Sequence, residues 1–333
     1  MGGTGQPTAE DLPPPVYDPS RRPNDLPAPA PGRLSICIVN WNTRDHLREC
    51  LRSIADTARE LAPEVIVVDN ASADGSAAMV RQEFPAVTLI ANDENLKYAR
   101  GNNQALERAR GELKLLLNPD IVVLEGALEE LLAAADRHPR AGAIAPKLVN
   151  PDGSLQLSCR SFPGPDVVLY ETLCLSQLLP RSRRFGKYRM SWWSYDTEMT
   201  VDQPMASALL LRAAALEEVG RFDEGYPIFF NDVDLCRRLW DAGWEVWFTP
   251  DASMIHHGGA ATGQVRPQMI AESHHSLLRY YEKHYRGRVN PVAYHAARAL
   301  VRLSGPVRVL TARLRQRLSP RRHEDTKTHE ARL

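Results

Sequence analysis

From residue 34 to residue 146 the chain alternates short apolar runs with longer amphipathic ones, and this alternation limits the fold more than any other feature. The runs are LSICIVN (34–40), EVIVVDN (64–70), VTLIAN (87–92), LKLLLNPD (113–120) and a short one at 142–146. Each is brief and β-rich, as a strand buried on both faces must be. Between them, apolar residues recur at helical spacing. Leu47, Cys50, Leu51, Ile54 and Ala58 form one face, and Asn42 or Thr43 can cap that helix. Further helices are expected around Met79, Val80 and Phe84, from Ala99 to Arg110 with Gly111 closing it, and from Leu124 to His138. The pattern implies an α/β protein with a mostly parallel central sheet and helices on both faces. Such sheets take ligands outside the carboxyl ends of their strands. The polar residues at those ends are Asn40, Asp69, Asn70, Asn92 and Asn118 to Asp120.

The second half is less regular. NPDGSLQ is hairpin-turn chemistry, 165–179 reads as a helix, and 180–200 is aromatic, basic and irregular. SALLLR (207–212) reads as a strand, Asp232 to Ala242 as a helix ended by Gly243, and WEVWFT as a strand that leads into MIHHGGA. After His274 the chain is helical and Arg-rich, and Gly305 with Pro306 is expected to break it near the middle. Residues 1–32 are proline-rich without an apolar core, so they are expected to be a disordered leader and not a secretory signal.

Composition narrows the function classes. With 43% apolar and 25% charged residues, the chain is expected to be soluble and globular. A formal net charge of zero gives no polyanion signature, so no nucleic-acid partner is expected. Charge is uneven, however: from His274 onward 14 Lys and Arg face 4 Asp and Glu. Val307, Leu310, Leu314 and Leu318, among Arg308, Arg313, Arg315 and Arg317, suit either an anionic bilayer surface or an ordinary solvated helix. Cys37, Cys50, Cys159, Cys174 and Cys236 lack C-x-x-C spacing, which favours a reducing compartment over a disulfide framework. No run of 18 apolar residues exists, so no membrane-spanning helix is expected. The first strand leads into IVNWNT and not into G-x-G-x-x-G, which argues against a dinucleotide-dependent oxidoreductase.

Four short stretches carry candidate chemistry, each beside a plainer alternative. Pro119 stops a strand ladder, so Asp120 in Asn118-Pro119-Asp120 is either a turn residue or a strand-exit carboxylate. Asp69 either accepts from a base ring N–H or caps the next helix. Asp232 in FFNDVDLCRRL sits in a first helical turn, where the macrodipole favours an ionised carboxylate; it is an N-cap or a general base. His256 and His257 follow a strand and point to opposite faces, so one can face a site while the other faces the core, or both are structural. Together, two carboxylates and an imidazole suit a metal-bound diphosphate with a base on the acceptor side.

At this point the chain resembles the family 2 inverting glycosyltransferases of the GT-A fold, within them the bacterial rhamnosyltransferase-like group. The matching text, in order across residues 34–260, is SICIVNWNTRDHLRECLRSI, EVIVVDNASADGS, NLKYARGNNQAL, LLLNPDIVVLEGALEEL, PKLVNPDGSLQ and LEEVGRFDEGYPIFFNDVDLCRRLWDAGWEVWFTPDASMIHHGGA. The resemblance implies a glycosyltransferase domain over 33–265, with a nucleotide-sugar half (33–150) and an acceptor half (151–265), followed by a basic helical extension over 266–333. Asn40, Trp41, Asn42 and Asp69 would line the nucleobase pocket, and Arg100 and Asn103 would lie near the nucleotide. Asn118-Pro119-Asp120 stands where the wider family has Asp-x-Asp, so Asp120, with His256 as the favoured histidine, would hold Mg²⁺ or Mn²⁺ on the donor diphosphate. Asp232 matches the catalytic base. The segment QPMASA, including Met205, would border the acceptor, with Trp192 and Asp234 on the same side. Departures are Asn118 for the first carboxylate, Asn231 where Glu is usual, and Lys97-Tyr98 where Gly-Phe is usual.

The implied activity moves a sugar from a nucleotide-sugar donor, with dTDP-L-rhamnose favoured, to a hydroxyl of a glycan or lipid-linked acceptor in envelope polysaccharide synthesis. The implied location is the cytoplasm, or the inner face of its membrane. The rival class is a non-catalytic nucleotide-sugar or glycan-binding module on the same fold. Asn118 and Asn231 favour that rival, while Asp120, Asp232 and the histidine pair oppose it.

Overall fold

The computed structural model describes residues 32–258 and 266–318, with backbone alone for 266–268 and 306–318. The expected leader, residue 32 apart, lies outside the described residues, as do the side chains of the Val307–Leu318 apolar and arginine stripe. The chain divides into two compact units, Met1–Gln264 and Val265–Leu333. The first holds β1 (Leu34–Asn40), α1 (Arg44–Thr57), β2 (Glu64–Asn70), α2 (Ser76–Glu83), β3 (Thr88–Asn92), α3 (Lys97–Arg108), β4 (Leu113–Leu117), β5 (Ile121–Val123), α4 (Ala127–Arg137) and β6 (Ala141–Val149). It continues with β7 (Cys159–Arg160), α5 (Pro165–Thr172), α6 (Leu175–Leu178), β8 (Met199–Thr200), β9 (Gln203–Pro204), β10 (Ala208–Arg212), α7 (Ala213–Val219), α8 (Asn231–Asp241) and β11 (Glu245–His256). The second holds α9 (Arg266–His284) and α10 (Pro291–Leu318).

Nine strands form one sheet in the order β3-β2-β1-β4-β10-β6-β11-β5, with β8 paired to β11. Strands β1 to β4, β6 and β11 share one direction, while β5, β8 and β10 oppose it. The expected mostly parallel α/β sheet is therefore present. Its continuity comes from β10, which lies between β4 and β6 and runs antiparallel to both. Side-chain alternation divides the core. Ile36, Ile38, Val65, Val67 and Leu115 pack with Leu47, Leu51, Phe84 and Leu128 on one face. Cys37, Ile66, Val68 and Leu116 pack with Leu106, Leu216, Leu235 and Leu239 on the other.

Local readings differ from the sequence expectation where tertiary contacts intervene. LKLLLNPD is not one strand. β4 stops at Leu117, the chain turns with Ile121 N–H donating to the Asn118 carbonyl at 3.2 Å, and Ile121–Val123 then pairs antiparallel with Met254–His256. The 165–179 helix is two, separated at Cys174, whose φ of 56 is left-handed. The helical cap at Thr43 is indirect. The Thr43 hydroxyl donates to Asn40 Oδ1 at 2.7 Å, and Asp74 Oδ2 accepts from Arg44 N–H at 2.8 Å instead.

The expected break at Gly305 and Pro306 does not occur, since α10 runs through both. A proline removes one helical hydrogen bond but need not end a helix that packs against a neighbour. A Cβ on Gly305 would lie 3.2 Å from His274 of α9, so the glycine serves helix–helix approach. The break falls earlier, where Asn290 Oδ1 accepts from Val292 N–H at 2.9 Å and Pro291 begins the helix.

Gly111 shows how tightly the amino edge of the sheet is packed. Its N–H donates to Ser35 Oγ at 2.8 Å, and that hydroxyl donates to the buried Glu64 carboxylate at 2.7 Å. A Cβ there would meet Ser35 N at 2.6 Å and the Leu113 carbonyl oxygen at 2.8 Å, backbone atoms that cannot rotate away. Gly111→Ala should therefore destabilise the protein by about 1–3 kcal/mol through overpacking. A lower urea midpoint at unchanged slope is the expected result.

Candidate active site

Strand ends β1 and β2 carry a closed hydrogen-bond network. Asn40 and Asp69 are cross-strand partners, 0% and 2% exposed. Asn40 Nδ2 donates to Asp69 Oδ1 at 2.8 Å and to Ser72 Oγ at 3.1 Å. Ser72 N–H donates to Asp69 Oδ2 at 3.0 Å. Asn42, at a left-handed φ of 51, accepts from Ala73 N–H at 2.8 Å, and its own N–H donates to Ser72 Oγ at 2.9 Å. Both oxygens of Asp69 thus hold the loop after β2 against the loop after β1. An open cleft beside this network is lined by Asn42, Thr43, Arg44, Asp45, His46 and Asp74. Trp41 is half-buried next to it in sequence.

The second group forms where β5 meets β11. His256 pairs with Ile121, which follows Asp120 directly. Asp120 and His256 are 5% and 4% exposed, and His256 Nε2 lies 3.4 Å from Asp120 Oδ1. The other ring nitrogen, Nδ1, lies 2.6 Å from Gln156 Oε1. Gln156 Nε2 donates to Asn150 Oδ1 at 2.9 Å, which leaves Oε1 as an acceptor. Nδ1 then carries a hydrogen, which leaves Nε2 as the ring nitrogen that faces Asp120. That Nε2 is buried without a hydrogen bond. A buried imidazole nitrogen beside a buried carboxylate fits a divalent cation that takes both, with Gln156 fixing the tautomer from behind. His257 faces the other way, its Nε2 3.7 Å from Glu49 Oε2 and its N–H donating to the Asp120 carbonyl at 3.0 Å.

The third group stands at the start of α8. Asp232 is half-buried; its Oδ1 accepts from Val233 N–H at 2.8 Å and its Oδ2 from Ala206 N–H at 3.3 Å. Burial pushes its carboxyl above the ordinary value, and these backbone donors only partly oppose the shift. Burial thus works against the ionised form that a helix start favours. The Tyr98 hydroxyl donates to the Ala206 carbonyl at 2.7 Å, so the 206 residue is held from both sides. Burial first, then the charges of Asp232 and Asp120, push the Tyr98 hydroxyl up, so one phenol stands within the fields of both carboxylates.

The remaining residues divide. Asn118 is half-buried, and its N–H donates to the Ser207 carbonyl at 2.8 Å, tying the Asp120 turn to the segment beside Asp232. Met205 is half-buried in that segment and anchored by its N–H to the Ser158 carbonyl at 2.9 Å. Arg100 is exposed on α3. Asn103 does not present a free amide: it donates to Phe222 O at 3.0 Å and to Glu224 Oε1 at 3.1 Å, and accepts from Phe222 N–H at 3.0 Å. Asp234 is 0% exposed and bonded to Arg238 at 2.8 Å, so it points into the fold. Trp192 packs on the core with Arg183 over its ring, 4.9 Å from the centroid. Asn231 donates to the Tyr226 and Ile228 carbonyls at 3.2 and 2.9 Å, a loop-holding task that a glutamate could not perform. Gln156, Ser72 and Tyr98 were not among the expected site residues. Only Tyr98 had a signal, as the departure from Gly-Phe. The other half of that departure is Lys97, whose φ of 68 is the conformation a glycine adopts without strain.

Comparison with known proteins identifies the family and the fold. Residues 35–200 match the family model described as glycosyl transferase family 2. The N-acetylglucosaminyl-diphospho-decaprenol L-rhamnosyltransferase of Mycobacterium tuberculosis is 31% identical over 76% of this chain and 85% of its own length. The rhamnosyltransferase WbbL of Escherichia coli is 23% identical over 79% of this chain and 92% of its own. Among solved structures, the mannosyltransferase PcManGT of Pyrobaculum calidifontis, in complex with GDP-Man and Mn²⁺, has a TM-score of 0.55 at 19% identity. It covers 92% of this chain and 78% of that one. The expected GT-A architecture is thereby shown.

The Asn40–Asp69–Ser72 network yields its own test. Asp69→Ala leaves a buried amide and a backbone N–H short of an acceptor, at a cost of about 1–3 kcal/mol. Asn40→Ala should cost a similar amount. The double variant should lose clearly less than the sum, because both changes break one network. Urea melts of the four proteins give the coupling; strict additivity would mean that the two residues act separately.

Proposed function

Because the chain belongs to glycosyltransferase family 2, we propose that it is an inverting enzyme that moves L-rhamnose from dTDP-L-rhamnose to a hydroxyl of a lipid-linked glycan acceptor. The rhamnosyltransferase relatives support the sugar, and the decaprenol in one relative's name supports the lipid. One observation carries the reading: β5 and β11 set Asp120 against His256, while the Asn118–Ser207 bond brings that turn to the segment whose Ala206 N–H meets Asp232.

In this reading Asp120 and His256 would hold Mg²⁺ or Mn²⁺, which would supply positive charge for the departing diphosphate. Asn118 contributes a neutral amide where a second carboxylate is usual. Asn40 and Asp69 shape the nucleobase side through the loops they hold, with Trp41 and Asn42 on those loops. Arg100 offers a cation toward the nucleotide. Asp232 accepts the proton of the acceptor hydroxyl as that oxygen bonds to the anomeric carbon. The opposite bond, from that carbon to the diphosphate oxygen, breaks, and its electron pair leaves with dTDP. Met205 borders the acceptor beside the base.

A membrane-borne acceptor also suits the surface. Leu169, Leu173, Leu178 and Leu179 are 43%, 56%, 72% and 48% exposed on and after α5 and α6, followed by exposed Arg181, Arg183 and Arg184. Apolar side chains flanked by guanidinium groups match an anionic lipid interface. No helix among the described residues is long and apolar enough to cross a membrane. The proposed location is the inner face of the cytoplasmic membrane.

Asp232→Asn should keep donor binding and lose about 10²–10⁴-fold in transfer. Normal turnover in that variant would remove Asp232 from the role of base. Its raised pKa places the acid limb of kcat/KM above the ordinary 3.8. The stability sign is opposite to that of a salt-bridged aspartate. An acid that binds its proton more tightly when folded costs stability once pH exceeds the folded pKa, and that cost disappears below the unfolded pKa. Asp232→Asn removes that buried charge but leaves the Val233 and Ala206 N–H groups one acceptor oxygen in place of two, so its Tm, measured beside turnover, separates a lost base from a lost fold. For the cation, Asp120→Ala and EDTA should each reduce both transfer and dTDP-sugar affinity. If neither does so, Asp120 is not a metal ligand.

A further inference from the structure

His256 and His257 are neighbours on one strand end, and only His256 belongs to the site described above. His257 turns to the opposite face and meets α1. There His46 and Glu49, three residues apart on one helical turn, present their side chains together. The His257 Nε2 atom lies 3.7 Å from Glu49 Oε2, and the His46 and His257 rings are 5.0 Å apart, tilted by 53°. One ligand atom from each of the three residues falls within 4.8 Å of the others. Ligand atoms around a tetrahedral ion with bonds of about 2.0–2.1 Å are separated by about 3.4 Å. Side-chain rotation closes that difference, since all three residues are only half-buried.

We propose that His46, Glu49 and His257 form a second divalent-metal site, selective for a transition metal of the Zn²⁺ class and separate from the cation on the donor diphosphate. The donor set decides the selectivity. Two imidazoles and one carboxylate favour Zn²⁺, Co²⁺ or Ni²⁺ over Mg²⁺, which prefers oxygen ligands. Three protein ligands leave a fourth position for water. Two of the ligands come from one helix and need little ordering, and the third comes from a strand end fixed by β5. The backbone helps further: His257 N–H donates to the Asp120 carbonyl at 3.0 Å. An ion here ties the end of β11 to α1 and steadies the peptide that carries His256 on its other side. The site thus acts as a clamp behind the donor-cation pair. It does not depend on the identity of the sugar or on the reaction proposed above.

The test is metal titration of the full-length, metal-stripped protein without nucleotide. Zn²⁺ is followed by competition with a chromophoric chelator, and Co²⁺ by its visible absorption. The expected result is an equivalent with tetrahedral-type Co²⁺ bands that is present in wild type and kept in Asp120→Ala, whatever the Asp120–His256 pair takes up besides. His46→Gln, Glu49→Gln and His257→Gln should each weaken that equivalent at least tenfold while retaining the wild-type far-UV circular dichroism. Zn²⁺ should raise Tm in wild type and not in the variants. Three results overturn the proposal: no stoichiometric equivalent in wild type, affinity unchanged in all three variants, or loss of the equivalent in Asp120→Ala. The last would assign the ion to the donor site. Failure of the donor-cation reading would instead appear as unchanged dTDP-sugar affinity in Asp120→Ala, so the two ideas fail separately.

Discussion

Three residue pairs between β5 and β11 hold the site together: Met254 with Val123, Ile255 with Val122, and His256 with Ile121. Without this pairing, Asp120 would be a turn residue at the end of one strand and His256 the last residue of another. With it, two residues 136 positions apart in sequence share one buried spot, His256 Nε2 standing 3.4 Å from Asp120 Oδ1. Proline is what makes the pairing available. Pro119 cannot donate to the β4 ladder, so the chain leaves the sheet centre, turns, and re-enters as an edge partner running the opposite way. Alternation along β11 then does the rest, sending His256 to the carboxylate and His257 to α1.

A second long-range insertion supplies the acceptor side. β10 enters between β4 and β6, antiparallel to both, which carries residues 205–207 to the carboxyl edge of the parallel strands. From there Ser207 accepts from Asn118 and Ala206 donates to Asp232. Tyr98 closes the arrangement from α3 by donating to the carbonyl of the same residue, Ala206. The halves on either side of residue 150 are thus one sheet, and the candidate chemistry lies where they interlock. Burial of Asp232 is the cost and the use of that interlocking. It disfavours the charged form and brings the acid closer to the range in which a carboxylate exchanges protons effectively.

Much of this was legible beforehand for simple reasons. Strands buried on both faces are apolar through most of their length, so Leu34–Asn40 and Glu64–Asn70 read correctly to the residue. Amphipathic spacing located α1, α4 and α8 within a few residues. Less was legible where a partner distant in sequence decides a side chain's contacts. The Asn103 amide, expected near the nucleotide, holds Phe222 and Glu224. Asp234, expected on the acceptor side, lies two residues beyond Asp232 on α8 and turns inward to Arg238. Gly305 and Pro306 suggested a break, although α10 runs through both with Gly305 against His274 of α9, and the capping pair Asn290-Pro291 marks the true break.

By itself the sequence determined the α/β alternation, the strand ends that carry polar residues, and the identity of the carboxylates and imidazoles available for chemistry. These follow from local rules, since periodicity and turn preference act over a few residues. Only the tertiary structure decided which histidine meets Asp120, which amide fixes its tautomer, and which backbone N–H meets Asp232. Each of those depends on strand register and crossover between distant segments. Register is set by the packing of the whole sheet, because a shift of one residue exchanges the two faces of a strand.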